Sequence, residues 1–167
     1  MTAGKIGAYG LSNVDGAQLS AALETGSFAA VQTSYSLLDR NAERDVLPLC
    51  AEAGLWFQAH SPLMGGWLTG KYRRDAPAPE GSRMTLRSAP YEHLRNDAVY
   101  DALEAFEQRG DPTTLAFAWL LADERVSVVL GPRRPAHLEP TLTALANPLT
   151  PEERDALSDE FRPVPQS

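Results

Sequence analysis

Polar residues stand at three places where an apolar run ends. In "GKIGAYGLSN" the run Lys5–Leu11 closes on Ser12 and Asn13, in "FAAVQ" it closes on Gln32, and in "LWFQAH" it closes on His60. Hydroxyl and carboxamide side chains both donate and accept hydrogen bonds, so a strand tipped by them reads as one spoke of an α/β ligand site. An imidazole can also exchange a proton at physiological pH. Metal chemistry is not expected: His60, His93 and His137 lie far apart and have no cysteine or carboxylate at ligand spacing. The single cysteine, Cys50, falls on the apolar side of the helical pattern "VLPLCAEAG", where it reads as a small buried hydrophobe rather than a reactive thiol.

The elements that must position these tips alternate in type. Strands are expected at Lys5–Leu11, Phe28–Gln32, Leu55–His60 and Val126–Gly131. Pro62 stops the third as a central strand. Helices are expected over "DGAQLSAALETG", ended by Gly26, and over "NAERDVLPLCAEAG", with Asn41 as cap and Gly54 as stop. Further helices fall at about 93–108, at Thr113–Asp123 and at "RPAHLEPTLTALAN", where Pro140 is out of place. The last, 151–161, has Thr150 as N-cap, Pro151 at N1 and Glu153 as the reciprocal cap. Between them the stretch 64–90 reads as a long lid-like loop. This order implies a parallel sheet with helical crossovers. Four strands with helices on one side form an open arc, with two free edges and an apolar inner face that something must cover.

Composition narrows the function classes. The 167 residues suit one domain, and 43% hydrophobic content is that of an ordinary globular protein. Fifteen basic against 22 acidic residues give a net charge of −7. No basic stripe interrupts that balance, so nucleic acid is not an expected partner. No apolar run approaches the roughly 20 residues of a membrane span. With no leader pattern at the start and no possible intramolecular disulfide, the cytoplasm is the expected compartment.

At "GLSN", "VQTSYSLLDRNAERDVLPLC", "HSPLMGGWLTGKY" and "VVLGPRRPAHLE", four strings in register at strand ends, the chain resembles the C-terminal half of an aldo-keto reductase. The likeness runs from Lys5 to about Phe161. It implies a partial (β/α)8 TIM barrel made of strands five to eight, with the first half of the barrel expected before Lys5. It implies NADP as cofactor: Ser12, Asn13 and Gln32 at the nicotinamide carboxamide, and Ser61, Leu63 and Gly65 at the pyrophosphate, where glycine lets the backbone approach. Arg133, with Arg134 beside it, would sit near the adenosine phosphate. Each has a plainer alternative, as a strand-end cap or a solvated charge. Tyr35 keeps the "YSLL" tyrosine as a packing residue.

The same likeness places the family's Asp-Tyr-Lys-His tetrad on strands that this sequence does not contain. The chain alone is therefore not expected to reduce carbonyls. His60 stands where the family has a tyrosine stacked on the nicotinamide, which makes it both a weaker stacking residue and the candidate catalytic group. His137, Pro140 and Thr141 replace a Gln and a Glu-Asn pair at the 2′-phosphate and adenine, removing hydrogen bonds worth roughly 0.5–1.5 kcal/mol each. Three functions follow: the cofactor half of a truncated or split reductase acting on a small carbonyl compound; a half-barrel repurposed as a non-redox lyase, isomerase or cyclase; or a non-catalytic binding remnant. The expected partner is a second copy, forming a homodimer, or a complementary half-barrel chain.

Overall fold

The structure, a computed structural model, describes residues 4–162 and residue 164. Its sheet has four parallel strands in sequential order: β1 (Gly10–Ser12), β2 (Ala30–Ser34), β3 (Trp56–His60) and β4 (Val126–Val128). The helices are α1 (Gly16–Thr25), α2 (Val46–Ala53), α3 (Arg83–Leu86), α4 (Asp97–Gln108), α5 (Pro112–Leu121), α6 (Glu139–Ala146) and α7 (Pro151–Glu160).

Alternation along the strands separates two faces. Val31, Phe57, Ala59 and Val126 are buried against the helices. The opposite, concave face carries Gly10, Ala30 and Trp56 in one row and Ser12, Gln32, Gln58 and Ser127 in the next. Ser34 and His60 form a third. The inner face expected from sequence to be apolar is therefore polar over most of its area: among the described strand residues facing it, Trp56, 60% exposed, is the one large apolar side chain. The other exposed large apolar groups among the described residues lie outside the strands. Ile6 and Tyr9 precede β1, Leu86 ends α3, Val129 follows β4, and Leu138, Leu142 and Leu145 lie in or just before α6.

Sequence signals fix most helix ends. Asp15 and Gln18 form a capping box on α1, and Thr150 and Glu153 form the expected one on α7. Asn96 and Asp111 cap α4 and α5. The α2 cap differs from expectation. Asn41 opens a 3-10 turn, Asn41–Glu43, and Asp45 caps α2 through Val46 N–H. The same carboxylate accepts from Gly16 N–H at 3.2 Å, joining the starts of α1 and α2. Pro140 is no defect, because it lies in the first turn of α6, where its missing N–H costs nothing.

Strand bounds shift by tertiary pairing: β1 keeps only the end of Lys5–Leu11, β2 runs on to Ser34, and β4 stops at Val128. The stretch 64–90 is not irregular throughout. It contains a kinked run of tight turns over Met64–Thr69, broken at Gly65 and Gly66, then α3, and enters a 3-10 segment, Ala89–Leu94, before α4.

A polar network anchors α7. Fully buried Tyr35 donates its hydroxyl to Glu43 Oε1 at 2.8 Å and accepts from Arg154 Nη2 at 3.1 Å. Arg154 lies over the Trp119 ring, whose N–H donates to Ser158 Oγ at 2.8 Å. Burial, reinforced by the Glu43 carboxylate, pushes the Tyr35 phenol well above its ordinary range. Tyr35 is thus the packing residue the sequence suggests. Cys50 is buried too, and burial pushes its thiol up to about 11.

Candidate functional site

The polar tips converge at the C-terminal end of the sheet. Ser12 and Gln32 stand side by side in register, and Asn13 N–H donates to the Gln32 carbonyl at 2.8 Å. Across the strand β2, His60 Nε2 lies 2.7 Å from Asn13 Oδ1, while its Nδ1 lies 3.1 Å from Ser61 Oγ. With Asn13 presenting its carbonyl oxygen, Nε2–H donates and Nδ1 accepts from the Ser61 hydroxyl. Both partners have left-handed backbones, each at φ 55°, a conformation that L-residues adopt at a cost. The imidazole thus ties two strained strand ends together.

Gln32 is engaged as well, donating from Nε2 to Gln58 Oε1 at 3.1 Å. Gln58 was not among the residues singled out from sequence, although alternation through "WFQAH" puts it on the same face as His60.

After Ser61 the chain makes a run of left-handed turns at Met64, Gly65 and Gly66, with φ of 44°, 65° and 97°. At Gly65 a reason beyond torsion applies, since a Cβ there would meet the Tyr91 ring at 2.6 Å. At Gly66 a Cβ would meet the movable end of Lys71, so its φ of 97° is what favours glycine. Tyr72 holds the loop by donating to the Gly65 carbonyl at 3.2 Å. Leu63 is half-buried and its carbonyl accepts from Gly66 N–H at 2.8 Å. The Lys71 ammonium beside this loop is suited to a phosphate oxygen. Gly65 is legible in the sequence, whereas Lys71 and Tyr91 meet the loop only through tertiary packing.

Arg133, Arg134 and His137 follow β4 and are exposed. Arg133 N–H donates to His137 Nδ1 at 3.2 Å, and Arg134 Nε approaches Nε2 at 3.4 Å. A neutral imidazole accepts at one nitrogen only, so the shorter, backbone contact is the one that orients the ring. The Arg133 guanidinium has no ion pair among the described residues. It remains available to an anion.

A parallel arc with polar side chains and a glycine loop at the C-terminal strand ends is the active end of a (β/α)8 barrel. Residues 1–159 match the model of the Aldo/keto reductase family, and the chain belongs to that family. It is 36% identical over 148 residues to the NADH-specific methylglyoxal reductase of Escherichia coli, covering 85% of this chain and 44% of that protein. It is 32% identical over 167 residues to an uncharacterized oxidoreductase of Bacillus subtilis, covering 95% and 50%. The glycerol dehydrogenase of Gluconobacter oxydans superposes with a TM-score of 0.80 at 27% identity, over 99% of this chain and 53% of that one. The fold is therefore a partial TIM barrel, and the chain spans about half the length of the curated relatives it matches. Among the described residues no helix is long and apolar enough to cross a membrane.

Proposed function

We propose that this chain carries the cofactor-holding half of an NADP(H)-dependent carbonyl–alcohol oxidoreductase, with proton transfer supplied by residues of the other half of the barrel. The observation that carries this reading is the convergence of Ser12, Asn13 and Gln32 beside the Gly65–Gly66 loop. The carboxamides suit a nicotinamide amide, which both donates and accepts. Gly65, Gly66 and Lys71 suit a pyrophosphate, and Arg133 suits the adenosine phosphate. The bound nicotinamide would supply or take the hydride. This chain's residues would orient its ring and screen it from water. The Escherichia coli relative is named as NADH-specific, so the choice of NADPH rests on Arg133 alone.

The remaining barrel would come from a complementary half-barrel or from a second copy of this chain, seated on the concave face and along the edges marked by Ile6, Tyr9, Val129 and Leu142. Cytoplasmic residence fits such a cofactor. The direct test mixes the protein with a polypeptide spanning the first half of the Bacillus subtilis relative. Reduction of a reactive aldehyde only in the mixture is expected. Equal turnover by the chain alone, persisting on repurification, would overturn the division of labour.

A second reading is favoured by one observation. His60 already occupies the Asn13 carboxamide that a nicotinamide would use. In this reading His60 serves acid–base chemistry in a non-redox enzyme, and cofactor affinity is lost.

A further inference from the structure

Gln32 and Gln58 are paired in register across β2 and β3, and both line a cavity of about 480 Å³ on the concave face. Gln32 Nε2 donates to Gln58 Oε1 at 3.1 Å. That bond engages the donor end of one carboxamide and the acceptor end of the other. Gln32 Oε1 and Gln58 Nε2 make no hydrogen bond among the described residues, yet neither is fully buried. The pair therefore offers the cavity one unoccupied acceptor and one unoccupied donor.

Neighbouring polar groups are already committed. Ser127, next in the row, donates its hydroxyl to the Phe57 carbonyl at 3.2 Å. Asn13 Oδ1 lies 2.7 Å from His60 Nε2, which leaves Gln32 Oε1 as the unoccupied carboxamide acceptor at this end of the sheet. A primary carboxamide needs both kinds of partner, an acceptor for its NH₂ group and a donor for its carbonyl. A polar group brought into a cavity and left unpaired is costly, so matching both ends discriminates strongly.

The geometry points to Gln58 as a cofactor contact: Gln32 Oε1 accepts from the NH₂ of the nicotinamide carboxamide, and Gln58 Nε2 donates to its carbonyl. This inference rests on the oxidoreductase reading above and adds a specificity-determining residue to it. Gln58 then acts on the cofactor directly, and not only by holding Gln32.

The test is calorimetric titration with NADPH and with its acetylpyridine analogue, which keeps the carbonyl but carries a methyl group in place of the NH₂. The unmodified chain is expected to bind NADPH about fivefold more tightly, the effect of one neutral hydrogen bond. Gln32→Leu is expected to erase that preference. Gln58→Glu, at about pH 8 where its carboxylate is ionised, keeps the acceptor that holds Gln32 but has no donor. It is expected to weaken both ligands about fivefold while retaining the preference for NADPH. Gln58→Leu, which adds no charge, is expected to weaken NADPH at least as much. Undiminished affinity in Gln58→Glu would reduce Gln58 to a support for Gln32 and overturn the proposal. Undiminished affinity in Gln58→Leu, or equal binding of the two ligands by the unmodified chain, would overturn it too. In each of those cases NADPH still binds and the oxidoreductase reading stands. No NADPH binding, with or without the complementary half-barrel, would overturn both.

Discussion

His60 and Asn13 come from strands that are not neighbours, yet their side chains meet at 2.7 Å across the tip of β2. The contact links the residue that departs from the family's pattern to the carboxamide that would hold the cofactor. Whatever binds at this end of the sheet must either keep that bond or replace it.

His60→Tyr breaks the bond, frees the Asn13 carboxamide and restores a larger ring for stacking. Nicotinamide cofactor affinity is expected to rise by several-fold, since one hydrogen bond is worth roughly 0.5–1.5 kcal/mol. Fluorescence titration with NADPH and NADH reads the change. An unchanged affinity, with no effect on any activity found, would reduce His60 to a packing residue and remove the acid–base reading.

The proposed function assigns the choice between the two cofactors to Arg133. Arg133→Ala is expected to weaken NADPH binding by about tenfold while leaving NADH nearly unaffected, as a charge-assisted contact to an extra phosphate requires. Equal losses for both would move Arg133 off that phosphate.

The sequence made the fold class and most helix ends legible, because alternation, caps and glycine stops are local signals. It missed what depends on distant pairing. Asp45 caps α2 and reaches α1 only because tertiary packing brings Gly16 near. An open four-stranded arc is expected to leave an apolar inner face, whereas the rows holding Gln32, Gln58 and His60 make that face polar. Asn13 and Ser61 as left-handed residues left no trace in composition.

Tyr35→Phe tests the anchoring of α7. It leaves the Glu43 carboxylate and the Arg154 guanidinium without their shared hydroxyl in a part-buried setting. A loss of about 1–3 kcal/mol is expected in urea unfolding. Unchanged stability would show that the network contributes nothing net.

Stability should decline in alkali. Cys50 ionises near 9.0 when exposed and is pushed up to about 11 when buried, so between those values the unfolded chain gives up a proton that the folded chain keeps. The contribution is fully present below about pH 9 and is lost as pH rises through about 11, amounting to roughly 2–3 kcal/mol. The Tyr35 phenol, raised by burial and the Glu43 carboxylate, adds a loss of the same sign at higher pH. Cys50→Ala is expected to flatten the pH dependence between 9 and 10 in denaturant titrations. An unaltered slope would contradict the assignment to Cys50.

The most direct measurement of the proposed function observes the carboxamide side chains themselves. Nuclear magnetic resonance of the Asn13 and Gln32 side-chain NH₂ groups, recorded while NADPH is added to the folded protein, is expected to show saturable shifts. A larger response is expected once the complementary half-barrel is present. If both signals stay fixed in both preparations, with the protein folded throughout, these strand tips do not hold a nicotinamide and the cofactor assignment fails.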